Sequence, residues 1–242
     1  MVEPASTNWS GLALVVGPGG IGSAVAAELS QCCPQLEVLT AGRHGPPACS
    51  FQLDIENDGD LDRLATTLRA EERPLRLVFN CSGRLHGPGL QPEKRLQQVE
   101  RSQLEQQFGI NAMAPILLAK AIEPLLQRDQ PFHFASLSAR VGSIGDNRTG
   151  GWYGYRAAKA AQNQLLRCLS IEWTRRWPLA TVSLLHPGTT DTDLSRPFQS
   201  FVAPEKLFSP ERAARQLVKV LLQQTPEHSG AFLAWDGQSI DW

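Results

Sequence analysis

The sequence predicts an α/β protein: a single Rossmann-type, doubly wound domain over residues 1–242, with a sheet of about seven parallel strands flanked by helices. Three features lead there. Short apolar runs alternate with segments of helical spacing, and the first run ends at a cluster of glycines. A length of 242 residues, 42% hydrophobic and 19% charged, also suffices for one sizeable core.

Residues 12–16, Leu-Ala-Leu-Val-Val, carry no polar interruption, as a parallel strand covered on both faces requires. Runs at 36–41, 75–80, 132–136, 180–185 and 231–234 repeat the pattern, and 50–53 is a weaker member. Between them, residues 21–31, 60–71, 103–126, 153–176 and 210–223 have helical spacing. The last of these has its own start signal, Ser209 as cap and then Pro210, where a missing N–H costs nothing. Residues 86–100 and 195–208 fit neither pattern and read as functional loops. The second follows a strand end directly, where ligands bind in sheets of this kind, and reads as a lid over a substrate.

A formal net charge of -1 and no long Lys/Arg run give no footprint for nucleic acid or an anionic membrane, so a small-molecule partner is expected. Residues 1–11 lack a basic region followed by an apolar stretch, and no later apolar run approaches the ~18 residues of a membrane span, which points to a cytoplasmic protein. Five cysteines, Cys32, Cys33, Cys49, Cys81 and Cys168, form an odd set without CxxC spacing. They read as reduced, mostly buried thiols with no metal site, and the geometry of adjacent residues disfavours a bridge between Cys32 and Cys33.

Gly17-Pro18-Gly19-Gly20-Ile21-Gly22 closes the first strand and opens the first helix, the context in which G-x-G-x-x-G carries meaning. Glycines let the backbone turn tightly and approach a pyrophosphate, whose charge meets free N–H groups at the helix N-terminus. A bare strand-to-helix turn is the other reading, though it needs fewer glycines. At the end of the second strand, where NAD sites place an acid for the ribose hydroxyls, this chain has Thr40-Ala41-Gly42-Arg43. A guanidinium pairs with a 2′-phosphate that a carboxylate would repel, so the pattern favours NADP(H) over NAD(H). Arg43 as an ordinary solvated loop residue is the alternative, and Glu37 lies too early in its strand to reach the ribose.

Tyr155-Arg156-Ala157-Ala158-Lys159 starts a strongly helical segment, so phenol and ammonium share one face at i, i+4. A nearby positive charge favours ionisation of a phenol and moves it toward a range useful for proton transfer. Small neighbours, among them Ala157, Ala158, Ala160 and Ala161, let a flat ring or another helix come close. Tyr153 has Ala157 four residues on and lacks the lysine. Alone, Tyr-x-x-x-Lys is common on exposed helices with no chemistry.

Combination adds weight. The order of glycine-rich turn, Asn80-Cys81-Ser82-Gly83, Ser138, Tyr155 with Lys159, and His186-Pro187-Gly188-Thr189 resembles the short-chain dehydrogenase/reductase family over nearly the full length. Ser138 to Ile144, Asp146-Asn147-Arg148 and Gly150-Gly151-Trp152-Tyr153 are similar to its branch of C-factor-type signalling proteins and sniffer-type carbonyl reductases. The resemblance implies hydride transfer between a nicotinamide and a carbonyl or alcohol, with Tyr155 as acid or base, Lys159 tuning it, Ser138 holding the carbonyl oxygen and Asn111 holding a water of the proton relay. It further implies that Asp54, beside Ile55, contacts the adenine, and that Asn80 and Gly83, with Cys81 and Ser82 between them, line the cofactor. Pro187 and Gly188 then lead to Thr189 and Thr192 at the nicotinamide carboxamide. Pairing into a homodimer or homotetramer through helices 103–126 and 153–176 is the family habit.

Three departures stand out. The family's first glycine aligns with Val16, so Gly17 and Gly19 take over its loop. The second member of the usual Ser-Ser pair, the catalytic one, is Ala139, so that Ser138 or Ser143 must substitute. The stretch from there to Tyr155 is longer than usual. These departures keep open a second expectation, a C-factor-like nucleotide-binding sensor or signalling protein with little turnover. A sugar-nucleotide epimerase needs a larger C-terminal domain, and a methyltransferase has no use for the Tyr/Lys pair. His186 reads as a packing or loop histidine, Asn111 alternatively as a residue satisfying helix backbone, and Trp152 and Phe201 as the aromatics nearest a substrate.

Overall fold

A computed structural model describes residues 9–44 and 48–242. In chain order the strands are β1 (Gly11–Val16), β2 (Leu36–Gly42), β3 (Phe51–Gln52), β4 (Leu75–Asn80), β5 (Phe132–Leu137), β6 (Ala180–His186), β7 (Thr189–Thr190), β8 (Leu207–Phe208) and β9 (Ala231–Ala234). The α-helices are α1 (Gly20–Cys32), α2 (Asp58–Arg69), α3 (Arg101–Phe108), α4 (Ala114–Ile122), α5 (Tyr153–Arg176) and α6 (Pro210–Leu222). Seven strands form one parallel sheet in the order β3-β2-β1-β4-β5-β6-β9, and β7 pairs with β8 in a separate two-stranded ladder. The order reverses between β1 and β4, and the crevice beyond the carboxyl ends of those strands is the switch point where such sheets bind ligands.

Alternation along each strand builds two cores, one per face. Leu12, Leu14, Phe134, Val182 and Leu184 pack with Leu166 and Trp173 of α5, whereas Ala13, Val15, Phe79, Ala135 and Leu185 pack with α1 and α6 through Val25, Leu29, Leu217 and Leu221. Trp173 is fully buried, with Phe132 and Phe134 edge-on to its ring, and its indole N–H donates to Glu123 at 3.0 Å. This anchors the far end of α5 and so fixes the direction in which its first turn points.

All seven expected strands of the main sheet form. Helix boundaries moved for identifiable reasons. α2 starts at Asp58 because Asn57 caps it, its side chain accepting from Asp60 N at 3.0 Å. The expected helix 103–126 is α3, a π-helical turn over Gly109–Met113, α4 and a 3-10 turn over Glu123–Leu125. Within the helical run Arg101–Leu125 an 18-residue window reaches a mean hydropathy of 1.2, long and apolar enough by composition to cross a membrane even though charged and polar residues interrupt it. Here Leu118, Ala119 and Ile122 are packed into the core beside α5. Ser209 caps α6, accepting from Arg212 N at 3.2 Å, with Pro210 in the first turn.

All five cysteines are free; Cys33 and Cys49 are buried, but Cys32 and Cys168 are exposed, against the expectation of mostly buried thiols. Residues 1–8, on which the reading of the N-terminus rests, lie outside the described residues.

Candidate active site

At the end of β1, Gly17 has φ +79°, and a Cβ there would sit 2.8 Å from Ser82 N. A Cβ on Gly22 would lie 2.2 Å from Gly17 O, and one on Gly20 would lie 2.7 Å from Thr192 Cγ2. The turn thus closes only with glycine at Gly17 and Gly22, where backbone atoms stand in the way, whereas a side chain at Gly20 would have to displace the Thr192 methyl. Gly19 has open space around it, so its role is not steric. Above the turn, α1 begins without a capping side chain and without an acid in its first turn, leaving its first N–H groups for an incoming anion. Glycines that admit no side chain, free amides including that of Ile21, and Thr192 over Gly20 together fit a dinucleotide pyrophosphate.

The flanking expectations fall around the same crevice. Arg43 is exposed just beyond β2, with its carbonyl accepting from Gln52 Nε2 at 3.3 Å. Glu37 is ion-paired with Arg73 near the start of β2, far from the ribose end. Past β3, the Asp54 carboxylate accepts from Glu56 N at 3.1 Å in a tight turn, and Ile55 is buried in the core. Asn80 holds the turn after β4, accepting from both N and Oγ of Ser82, and donates to Ser136 Oγ at 3.0 Å. Cys81 adds its N–H to Val16 O at 2.8 Å, and burial pushes its thiol well above the usual range. After β6, Pro187 leads into Gly188, at φ +76°, where a Cβ would meet the Phe208 ring at 2.7 Å. Thr189 is exposed and Thr190 buried.

Tyr155 and Lys159 lie at the start of α5, 7% and 3% exposed. Lys159 Nζ is 5.9 Å from the Tyr155 ring centroid and donates to Leu137 O and Gln162 Oε1, both at 2.9 Å. A Cβ on Gly83 would come within 3.7 Å of that ammonium, which sets the pair directly against the turn after β4. Gln162 in turn donates to Ser136 Oγ at 2.7 Å, so a buried polar chain runs Ser82–Asn80–Ser136–Gln162–Lys159. The Tyr155 hydroxyl has no hydrogen-bond partner among the described residues. Burial lowers Lys159 to about 7 and pushes Tyr155 above its ordinary value. Desolvation therefore outweighs the neighbouring ammonium, contrary to the expected depression of the phenol.

The other expected side chains are committed elsewhere. Ser138 donates its hydroxyl proton to Asn163 Oδ1 at 2.6 Å, on the same face of α5 one turn beyond Lys159. Ser143 is buried and accepts from Asp146 N at 3.0 Å, an interaction that leaves its own proton available. Asn111 sits in the π-helical turn, with Nδ2 donating to Arg84 O at 2.8 Å and to Gln107 Oε1 at 2.6 Å, and Oδ1 accepting from Arg84 N at 3.0 Å. Its amide thus ties the segment after Gly83 to the helix, and any water it holds must use its backbone carbonyl. Burial, then the charge of Arg140, lowers His186 to about 4, opposed by Asp236.

The Trp152 ring lies 6.3 Å from that of Tyr155 and 4.9 Å from that of Phe198. Phe198 belongs to the 3-10 turn Arg196–Phe201 within the expected lid, and His86, 5.9 Å away, joins it and binds Asp193 O through Nε2 at 3.1 Å. The Phe201 side chain lies outside the described residues. Phe198, His86, Gln162 and Asn163 escaped the sequence reading. Continuing the i, i+4 step from Lys159 would have reached Asn163, whereas nothing in the pattern of 195–208 singles out Phe198. Among the described residues no three His, Cys, Asp or Glu side chains gather as a metal site.

A family model described as enoyl-(acyl carrier protein) reductase, adh_short_C2, matches residues 19–239. The 1-hydroxy-2-glutathionyl-2-methyl-3-butene dehydrogenase of Rhodococcus sp. (strain AD45) is 31% identical over 190 residues, 78% of each chain. The C-signal protein of Myxococcus xanthus is 33% identical over 144 residues, 60% of this chain and 81% of that one. Among solved structures, the carbonyl reductase Sniffer of D. melanogaster superposes with a TM-score of 0.83 at 23% identity, covering 97% of this chain and all (100%) of that one. An NADPH-bound carbonyl reductase from chicken fatty liver gives 0.80 at 22% identity, covering 96% and 99%. The structures share the fold, and the family match with the Rhodococcus relative goes further: this chain belongs to the short-chain dehydrogenase/reductase family, whose members are NAD(P)-dependent oxidoreductases.

Proposed function

We propose that this chain reduces a carbonyl compound with NADPH, using Tyr155 as the general acid. One observation carries the reading: a nearly buried phenol without an internal hydrogen-bond partner stands one helical turn from Lys159, whose ammonium lies against the turn after β4. NADPH, when bound, supplies the hydride that goes to the carbonyl carbon. Tyr155 gives its proton to the carbonyl oxygen, so that ketone or aldehyde plus hydride plus proton yields the alcohol. Burial, which keeps the phenol protonated, suits it to that role, and Lys159 orients it and eases loss of its proton when charged. Ser138 or Ser143 holds the carbonyl oxygen, and the commitment of Ser138 to Asn163 favours Ser143. Asn111 serves the proton relay through its backbone.

The cofactor's pyrophosphate is held by the amides of Gly20, Ile21 and Gly22, with Gly17 and Gly19 shaping the turn beneath them through their own backbone bonds to Ala41 O and Gly17 O, and its adenine by Asp54 and Ile55. Asn80, Cys81, Ser82 and Gly83 run along it, and Pro187, Gly188, Thr189 and Thr192 bound its nicotinamide end. Arg43, with no acid at the end of β2, supports NADP(H) over NAD(H). Residues 1–242 act as one domain, with 195–208 as the substrate lid. The exposed apolar side chains Met113, Tyr153 and Ile171, at 52%, 41% and 45%, support pairing of chains along the α3–α5 face.

Stopped-flow oxidation of NADPH with diacetyl and with a benzoquinone tests the reading. Tyr155→Phe should lower turnover on the order of 10²- to 10⁴-fold while NADPH binding persists; equal turnover in the variant overturns it.

A second reading, a cofactor-binding sensor with little turnover, is favoured by Ala139 and by the committed proton of Ser138, which together remove the usual hydroxyl beside the carbonyl oxygen. A wild type that binds NADPH and oxidises it with neither probe establishes that reading instead.

A further inference from the structure

The helix that carries Tyr155 lacks a cap of its own. Trp152, its N-cap residue, makes no side-chain cap bond, and the first turn contains no acidic residue. The approach is left-handed three times over, with φ of 63° at Gly150, 67° at Gly151 and 51° at Trp152. Left-handed backbone is uncommon for a bulky residue and persists only where its surroundings hold it. What holds it comes from the loop after β4. Glu93 accepts from Trp152 N through its backbone oxygen, and its two carboxylate oxygens lie 3.3 and 3.2 Å from Gly154 N.

Glu93 is 3% exposed, and no cation pairs with it among the described residues. A buried carboxylate without a cation is a poor device for stability alone, but it matches the positive end of a helix whose first N–H groups are free. The fit is close: a Cβ on Gly154 would lie 3.0 Å from Glu93 Oε1 and 3.2 Å from Gln107 Cγ, and Gln107 is the residue to which Asn111 donates. Glu93 therefore fixes the residues on either side of Tyr153, immediately before the phenol.

We propose that Glu93 is a positioning residue for Tyr155: by capping α5 from a separate loop it sets the first turn, and with it the phenol and the Trp152 ring beside it, in the geometry that proton transfer needs. For Tyr155 as the acid this rests on the function proposed above.

The test is Glu93→Ala and Glu93→Gln in the full chain, followed by kcat with diacetyl, the Kd of NADPH, the thermal midpoint, and hydrogen exchange of residues 150–160. In E93A, kcat should fall on the order of 10- to 100-fold, as about 1 Å of misplacement does. NADPH affinity should hold, and exchange should speed up in 150–160 but not in the sheet. E93Q keeps an acceptor oxygen for Gly154 N and should recover most of both losses. Unchanged exchange in 150–160 of E93A, a lowered midpoint with kcat intact, or E93Q as damaged as E93A each overturns the proposal. If E93A does not fold, E93Q decides it by the same two readouts. A wild type inactive on diacetyl counts against the reductase reading alone, and exchange then decides whether Glu93 holds the turn.

Discussion

Ser138 and Ser143 flank a short 3-10 turn, Arg140–Gly142, and differ in where their protons go. Ser138 directs its proton into α5 at Asn163; Ser143 only accepts, from Asp146 N. A hydroxyl steadies a developing alkoxide only by donating, and loss of one such donor costs about 10²–10³ in kcat. Ser143→Ala should therefore fall in that range in steady-state assays, while Ser138→Ala changes kcat little; the reverse pattern would return the role to Ser138. Tyr155 and Lys159 were legible in the sequence because helical spacing alone puts them on one face. The choice of serine was not, since it depends on which side of a turn the hydroxyl leaves. The acidity of Tyr155 was misjudged for a related reason: the sequence displays the lysine charge but not the desolvation that overrides it.

At the scale of elements, the turn between β1 and α1 is the most constrained. Gly22 cannot carry a side chain without displacing Gly17 O, 2.2 Å from where its Cβ would be. Gly22→Ala should push the turn away from an incoming pyrophosphate and forfeit about one charge-assisted hydrogen bond, raising the Kd of NADPH about 10- to 100-fold by equilibrium titration. An unchanged Kd would mean that the turn does not hold the phosphates. The strands were legible because uninterrupted apolar runs suit a sheet buried on both faces. The division of 103–126 was not, because Gly109, Asn111 and Pro115 break regular winding without breaking the apolar pattern. β7 and β8 span two residues each, too short for any period to register.

At the scale of the molecule, the face of the sheet covered by α1 and α6 contains an ionisable residue. His133 on β5 is 1% exposed, paired with Ser183 Oγ at 2.9 Å and without a partner at Nδ1. Burial lowers it from 6.5 to about 3. Above pH 6.5 the residue is neutral whether folded or not and leaves stability unaffected; below it the unfolded chain takes a proton that the folded chain refuses. Stability should thus decline between pH 6.5 and about 3, by about 1.4 kcal/mol per pH unit from this residue. Denaturant titrations of His133→Leu/Ser183→Ala, which leaves no orphaned hydroxyl, should show a shallower acid slope by that amount; an unaltered slope would place the acid sensitivity elsewhere.

The small ladder of β7 and β8 also has a consequence for how this architecture tolerates change. Thr189–Thr190 and Leu207–Phe208 join the two ends of the intervening excursion at its neck, and Asp191 N extends the join to Phe208 O at 2.8 Å. Closing a longer or shorter loop across a fixed neck alters its entropy only slowly with length. Exchange of residues 193–206 for those of a relative should therefore leave the sheet in place, at the loss of the contacts that Asp193 O makes with His86 and Phe198 with Trp152.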